Sequence, residues 1–455
     1  MTTIPNVSRA LSELLTRSAE AAGVTSGFVQ RQSKLSAAVF VQTVVLGWLG
    51  MPTAGLGQLS RVAGVLGVRI SPQGLDQRFT SSAARLLEQV LAAGVRRMIV
   101  SEPAAVPLLQ RFAGVYVQDS TTIALADDLA AEWPGCGTAS TATRDGARAS
   151  MKLQVRLELT RGTLAGPVPQ AGRASDRTTV AVGEPLPAGA LFIADLGYFS
   201  LRYLAGLGAA GVLWLSRLQA QTVVFDATGR RLDLLPWLRQ HAATPTSTID
   251  QPVTLGIDLH LPARLLAVRV PPEVSASRRR KLKVEAQRRG KTLSEARLAR
   301  ADWTLLVTNV PPTALTVAEA LILARARWQI ELLFKLWKSH GQLAQSRSHQ
   351  PIRQLCEVFA KLIALLIQHW LFLVTCWRAP NRSLVRAAQL VRQFALVLAI
   401  ACHSPAHLST TIRRLAAGLA AGARIDSRRH MLGTWQLLLA IDDHVEDPAS
   451  SDWAA

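Results

Sequence analysis

Cysteine is scarce in this chain: Cys136, Cys356, Cys376 and Cys402 are the only four in 455 residues. They are far apart, with no CxxC pair and no neighbouring paired His. Neither a disulfide framework nor a zinc site is indicated, and the usage suits a reducing cytosol. The opening residues, MTTIPNVSRALSELL, lack the charged-then-apolar order of a secretory signal. Clean apolar runs of bilayer length are missing too. The nearest, Cys356 to Trp377, is interrupted by Glu357, Lys361, Gln368 and His369, which are expensive at bilayer depth, so it reads as a buried core helix. Leu35 to Gly50 is too short to span and reads the same way. No membrane association is expected.

Acidic residues are in the minority, 31 Asp plus Glu against 51 Lys plus Arg, which gives a net charge of +20 and a pI near 11.1. Such an excess says little about fold but favours a polyanionic partner, nucleic acid before membrane surface, and so a cytoplasmic, nucleoid-associated protein. The charge is uneven. Ala276 to Arg300 carries ten cations against two Glu, whereas Ile441 to Ala455 carries five acids and no Lys or Arg. A dense basic run is either a solvated helix face or a phosphate-contacting surface, and Arg278, Arg279, Arg280 and Lys281 are its candidate DNA contacts. At 49% hydrophobic, the chain can bury cores for several domains, which excludes a disordered polymer.

The pattern divides the chain. Residues 1–106 are helical in pattern. Within them, Leu59 to Thr80 reads as a helix, a Gly-containing turn and a second helix capped by Ser71 with Pro72 at its first position. That is either a helical hairpin or a helix-turn-helix offering Gln73, Gln77 and Arg78 to DNA. From 107 to 218, strand signals alternate with a helix: GVYVQD ending at Asp119, MKLQVRLEL, GTLAGPVP, and the continuous apolar run ALFIAD ending at Asp195. Shorter alternating segments and the basic helix fill 219–302. WTLLVTNV restores an apolar strand at the start of 303–378, and 379–455 is again helical. The fold class expected is α/β, a mixed sheet with helices on its faces, interrupted by a β-rich insertion and flanked by helical N- and C-terminal domains.

The segment RARWQIELLFKLWK, Arg325 to Lys338, is largely apolar with one polar window. At about 100° per residue, Glu331 falls near 40° from Arg327, Lys338 near 20° and Lys335 near 80°. Trp328, Ile330, Leu332 and their apolar neighbours take the rest of the circumference, as in a mostly buried helix. Arg327 and Glu331 are four apart, so a structural ion pair accounts for them as well as a functional site does. Asp119 and Asp195, each closing an apolar strand run, would emerge at the rim of a sheet, where a turn or cap is the plain alternative. Three carboxylates brought together repel one another unless divalent cations neutralise them. Hard oxygen donors suit two Mg²⁺, with Mn²⁺ able to substitute, and such a pair supports in-line phosphoryl displacement.

The spacing Arg327-x3-Glu331-x6-Lys338, preceded by VQDST around Asp119 and IADLGYF around Asp195, resembles the DDE transposases of bacterial insertion sequences, in particular the group with a Tyr-Arg-Glu-Lys signature. The resemblance implies a ribonuclease H-like core, for which the 136 positions between Asp195 and Glu331 leave room for a β-rich insertion. It also implies two metals, bridged by Asp119, with Asp195 completing one site and Glu331 the other. Arg327 and Lys338 would hold phosphates, and Trp303 would stack on a flipped base; Lys335, read from the sequence itself, is a further cation for the phosphate backbone. The signature Tyr would fall at Ala324, so that contact is absent. A Mg²⁺-dependent enzyme that cuts inverted-repeat ends, joins them to double-stranded target DNA and works as a homodimer is the function implied. A DNA-binding regulator without catalysis, or a metal-dependent nuclease that cuts without joining, are the alternatives.

Overall fold

The computed structural model describes residues 3–31, 34–97, 99–104, 106–137, 147–175, 183–241, 248–288, 290–379, 382–423 and 438. The acidic tail from Ile441 lies outside them. Nine strands occur among the described residues: β1 (Val115–Ala124), β2 (Ser150–Glu158), β3 (Leu164–Ala171), β4 (Leu191–Ala194), β5 (Leu213–Arg217), β6 (Val224–Phe225), β7 (Thr248–Leu255), β8 (Leu261–Arg269) and β9 (Trp303–Thr308). The mixture of strands and many helices agrees with the α/β class.

The chain forms two compact units. The first comprises Met1–Ala105, Asp119–Gly183 and Ile330–Asp426. It is built mainly of helices, and its first helix meets the segment around Cys402 and Ser409. Ser12 Oγ donates to the Cys402 carbonyl at 2.7 Å, and the Ser8 and Ser409 hydroxyls lie 3.0 Å apart. Its centre is the helix Pro351–Thr375, about 37 Å long at 1.5 Å per residue, with Pro351 at its first turn, where no N–H is required. This is the one helix among the described residues long and apolar enough to cross a membrane, yet 89% of its most apolar window is buried inside the protein. The core-helix expectation therefore holds, as it does for Ala37–Gly50, which is started by Ser36 accepting from Val39 N–H. The strands β2 and β3 pair antiparallel, Met151 opposite Ala171.

The helix–turn–helix outline is also present: Leu56–Val65, a turn through Gly67 at φ +85°, then Pro72–Asp76 capped by the Ser71 hydroxyl accepting from Gly74 N–H. The second helix is only five residues long. Leu75 and Phe79 anchor it in the core, and Asp76 pairs with Arg353 at 3.0 Å.

The second unit is built from Val106–Gln118 and Glu184–Gln329. Here the start of β1, β4 and β5 run parallel, whereas β9, β8, β7 and β6 continue outward as an antiparallel series. β4 is buried along its whole length, which explains its unbroken apolar sequence: a central parallel strand has two covered faces. The segment read as a β-rich insertion supplies β6, β7 and β8, extending this sheet through β9. Its core gathers Phe192, Trp214, Leu265 and Trp303 among others.

Two local expectations are corrected. Asp119 does not close its strand, because β1 continues to Ala124. Arg325 to Lys338 is not one regular helix. The helix Val317–Ala326 hands over at Arg327 to Trp328–Lys335, followed by a wide π turn, Leu336–His340. A π turn holds more residues per turn, so an angular position calculated at 100° per residue no longer applies to Lys338.

Candidate active site

Parallel pairing sets the register of the strands that lead to the two aspartates. Val115, Tyr116 and Val117 of β1 are in register with Leu191, Phe192 and Ile193 of β4. Asp119 follows Val117 by two residues, and Asp195 follows Ile193 by two. Asp195 stands just past the carboxyl end of β4, at the carboxyl-end rim of the parallel strands. In open α/β sheets that rim is where ligands bind. A strand-end turn contributes as well. Asp195 precedes a short 3₁₀ turn, Leu196–Tyr198, and has the extended backbone of a cap (φ −76°, ψ 161°). Its side chain remains 35% exposed. Asp119 is half-buried, with Oδ1 accepting from Ser120 N–H at 2.8 Å.

Arg327 sits at the junction of its two helices with its side chain 16% exposed, and its Nε lies 3.5 Å from Asp195 Oδ1. The guanidinium offsets part of the aspartate's field, and the carboxylate stays part-exposed. Its ion pair to Asp195 joins two of the three signature stretches.

Glu331 is half-buried in the first turn of Trp328–Lys335, where the helix dipole favours a carboxylate. Ile330, Leu333, Phe334, Leu336 and Trp337 bury the other faces and fix the helix, while Lys335 and Lys338 are exposed. Trp328 was expected to pack inside with them. It is 49% exposed, because the break at Arg327 turns it outward.

The remaining sequence candidates separate by burial. Gln73 and Gln77 are exposed and Arg78 is half-buried. Trp303 is 8% exposed and belongs to the core, so a base cannot reach its ring in this conformation, and the stacking role implied by the resemblance is not carried forward. Arg278 donates to Trp303 O and Thr304 Oγ1, both at 3.1 Å, and burial followed by the neighbouring Arg217 charge lowers its pKa. It is a structural anchor rather than a phosphate contact. Arg279 is partly committed, with Nη2 2.6 Å from Asp302. Arg280 and Lys281 are exposed.

One functional arrangement escaped sequence reasoning. Lys361, 2% exposed, bonds Glu357 Oε1 at 2.7 Å and donates to the carbonyls of Gln342 and Gln345 at 3.0 and 2.7 Å. Ser346 Oγ donates to Glu357 Oε2 at 2.7 Å. The loop that follows the Glu331 helix is thereby clamped to Pro351–Thr375. The available signal was the i,i+4 spacing of Glu357 and Lys361 inside an apolar run.

No group of three or more His, Cys, Asp or Glu among the described residues is gathered closely enough to hold a metal ion. The fit to a metal therefore rests on donor chemistry: half-buried Asp119 and Glu331 and part-exposed Asp195 are hard oxygen donors of the kind Mg²⁺ takes.

Comparison with known proteins decides the class. The family described as "Transposase DDE domain" matches residues 110–367, more than half of the chain. The chain belongs to the DDE transposases. It is 26% identical over 361 residues to the transposase for insertion sequence element IS231C of Bacillus thuringiensis subsp. berliner, covering 75% of this chain and 74% of that protein. The transposase for IS1151 of Clostridium perfringens is 24% identical over 365 residues, covering 75% of each. The putative transposase InsL for IS186A of Escherichia coli K12 is 29% identical over 180 residues, covering 38% and 46% respectively. This DDE transposase is accordingly an enzyme acting on DNA, and its domain implies dependence on a divalent metal.

Proposed function

We propose that this transposase cuts the inverted-repeat ends of its insertion sequence and joins each freed 3′-hydroxyl to target DNA, with Asp119, Asp195 and Glu331 as metal-binding catalytic residues. The observation that carries the reading is the ion pair of Arg327 Nε with Asp195 Oδ1 at 3.5 Å, which joins two of the three signature stretches. Two divalent ions, Mg²⁺ or in its place Mn²⁺, would supply Lewis-acid stabilisation and an activated oxygen nucleophile at neutral pH. Asp119, Asp195 and Glu331 would hold them.

The chain's own cations hold the phosphates. Arg327 is the fork that orients a non-bridging phosphate oxygen. Lys335 and Lys338 are exposed point charges on the same segment, able to follow the backbone on either side. In cleavage, a water oxygen bonds to phosphorus as the P–O3′ bond breaks, and the departing oxygen takes a proton. In joining, that 3′-hydroxyl oxygen attacks a target phosphodiester in the same way, so one site serves both steps. Gln73 and Gln77 on their short helix are the candidates for reading end DNA, with Arg78 beside them. A paired complex of two ends calls for a second copy of the chain, and the enzyme would act at the nucleoid in the cytoplasm.

The test uses purified protein, Mg²⁺, duplexes carrying the DNA that flanks the gene, and a target plasmid. Nicks confined to the element ends, followed by covalent joining to the plasmid, are the expected result. Binding with no nick identifies a regulator, and nicks without joined product identify a plain nuclease; either outcome overturns the proposal.

A further inference from the structure

The basic helix Pro272–Arg288 is fastened to the sheet near its N-terminal end. Ser275, its one buried described residue, donates to Asp302, Arg279 also bonds Asp302, and Arg278 bonds the first two residues of β9. Beyond this clamp the helix is mostly charged and exposed, and even Val284 is 44% exposed. Arg280, Lys281, Lys283 and Arg288 are exposed, and Lys291 follows just past its end, against Glu285 as the exposed acid among them.

Such a segment is hard to explain by folding alone. A helix with polar residues all round gains little from burial, and one of 17 residues, about 25 Å long, is marginal in isolation. Clustered like charges destabilise it further unless a polyanion lies against them. Lys and Arg contacts to phosphate carry no sequence information. That suits the one DNA partner of a transposase whose sequence is not fixed.

We infer that the outer half of this helix is a phosphate-tracking arm that holds target duplex DNA, through Arg280, Lys281, Lys283, Arg288 and Lys291, while Arg278 and Arg279 serve as its hinge-side anchors. The assignment to target, as opposed to end, DNA rests on the cutting-and-joining reading above. The number of phosphate contacts does not.

The experiment compares full-length enzyme with the variant Arg280→Gln/Lys281→Gln/Lys283→Gln/Arg288→Gln. Binding to a random-sequence duplex is followed by fluorescence anisotropy across a KCl series. Each phosphate contact contributes about 0.9 to the slope of log K against log salt, so the variant's slope should be smaller by about 3 to 4 and its affinity at moderate salt at least tenfold weaker. Joining to a plasmid should fall by a larger factor than end cleavage. Arg278→Gln should lower Tm and leave the slope unchanged. A quadruple variant with Lys at positions 280 and 288 and Arg at 281 and 283, which keeps every charge, should keep the slope, excluding helix unfolding as the cause. An unchanged slope in the Gln variant overturns the inference, and so does cleavage falling by the same factor as joining. If the wild-type enzyme nicks nothing, the proposed function fails, and the salt slope still decides whether the arm binds DNA.

Discussion

Glu331→Gln is expected to bind end DNA as the parent does and to lose both cleavage and joining by about a thousandfold or more, since several kcal/mol of transition-state charge stabilisation depend on the metal site. Gln preserves the shape of the side chain on a helix fixed by Ile330, Phe334 and Trp337, so the fold and the neighbouring Lys335 and Lys338 remain in place. What disappears is the negative charge that a divalent ion requires. A loss confined to binding would show that Glu331 is only a structural acid near the DNA, and parental cleavage would remove it from the site altogether. Gel-shift and nicking assays on the same protein preparation separate these outcomes.

Lys361→Met should destabilise the first unit by about 3–5 kcal/mol in a denaturant melt, the typical loss when one member of a buried ion pair is removed. Burial lowers the Lys361 pKa, and the opposing contribution from Glu357 supports the charged form. The pair is therefore interdependent. Without the ammonium, the Glu357 carboxylate stays buried with Ser346 as its remaining named partner, and the carbonyls of Gln342 and Gln345 lose a donor. Ser346→Ala removes one hydrogen bond and should lose only about 1 kcal/mol. Equal and small effects from both substitutions would mean that the loop after the Glu331 helix is held by its packing and not by this clamp.

Much of the architecture could be read from residue order because burial leaves a periodic trace. Ala190 to Asp195 announces a strand covered on both faces, and Ser71-Pro72 announces a helix start, since an oxygen cap and a preset φ are local properties. The candidate acids could be chosen from sequence as well, because each breaks an apolar run. The rest depended on contacts that spacing does not encode. That Arg327 pairs with Asp195 follows from tertiary packing. The break at Arg327 that exposes Trp328, and the π turn that displaces Lys338, arise where tertiary packing overrides a uniform 100° rotation. Basic residues 278–281 look alike in sequence, yet Arg278 is spent on β9 and Arg280 faces solvent, a difference set by which helix end packs against the sheet.

The central claim is that Asp119, Asp195 and Glu331 share divalent ions at the cleaved phosphate. Crystals of the enzyme with cleaved end DNA, soaked in Mn²⁺ and recorded at the manganese absorption edge, test it most directly. Two anomalous peaks about 3.5–4 Å apart, bound by oxygens of these three side chains, are the predicted result. Manganese held by other residues, or peaks that none of the three carboxylates touches, would contradict the account.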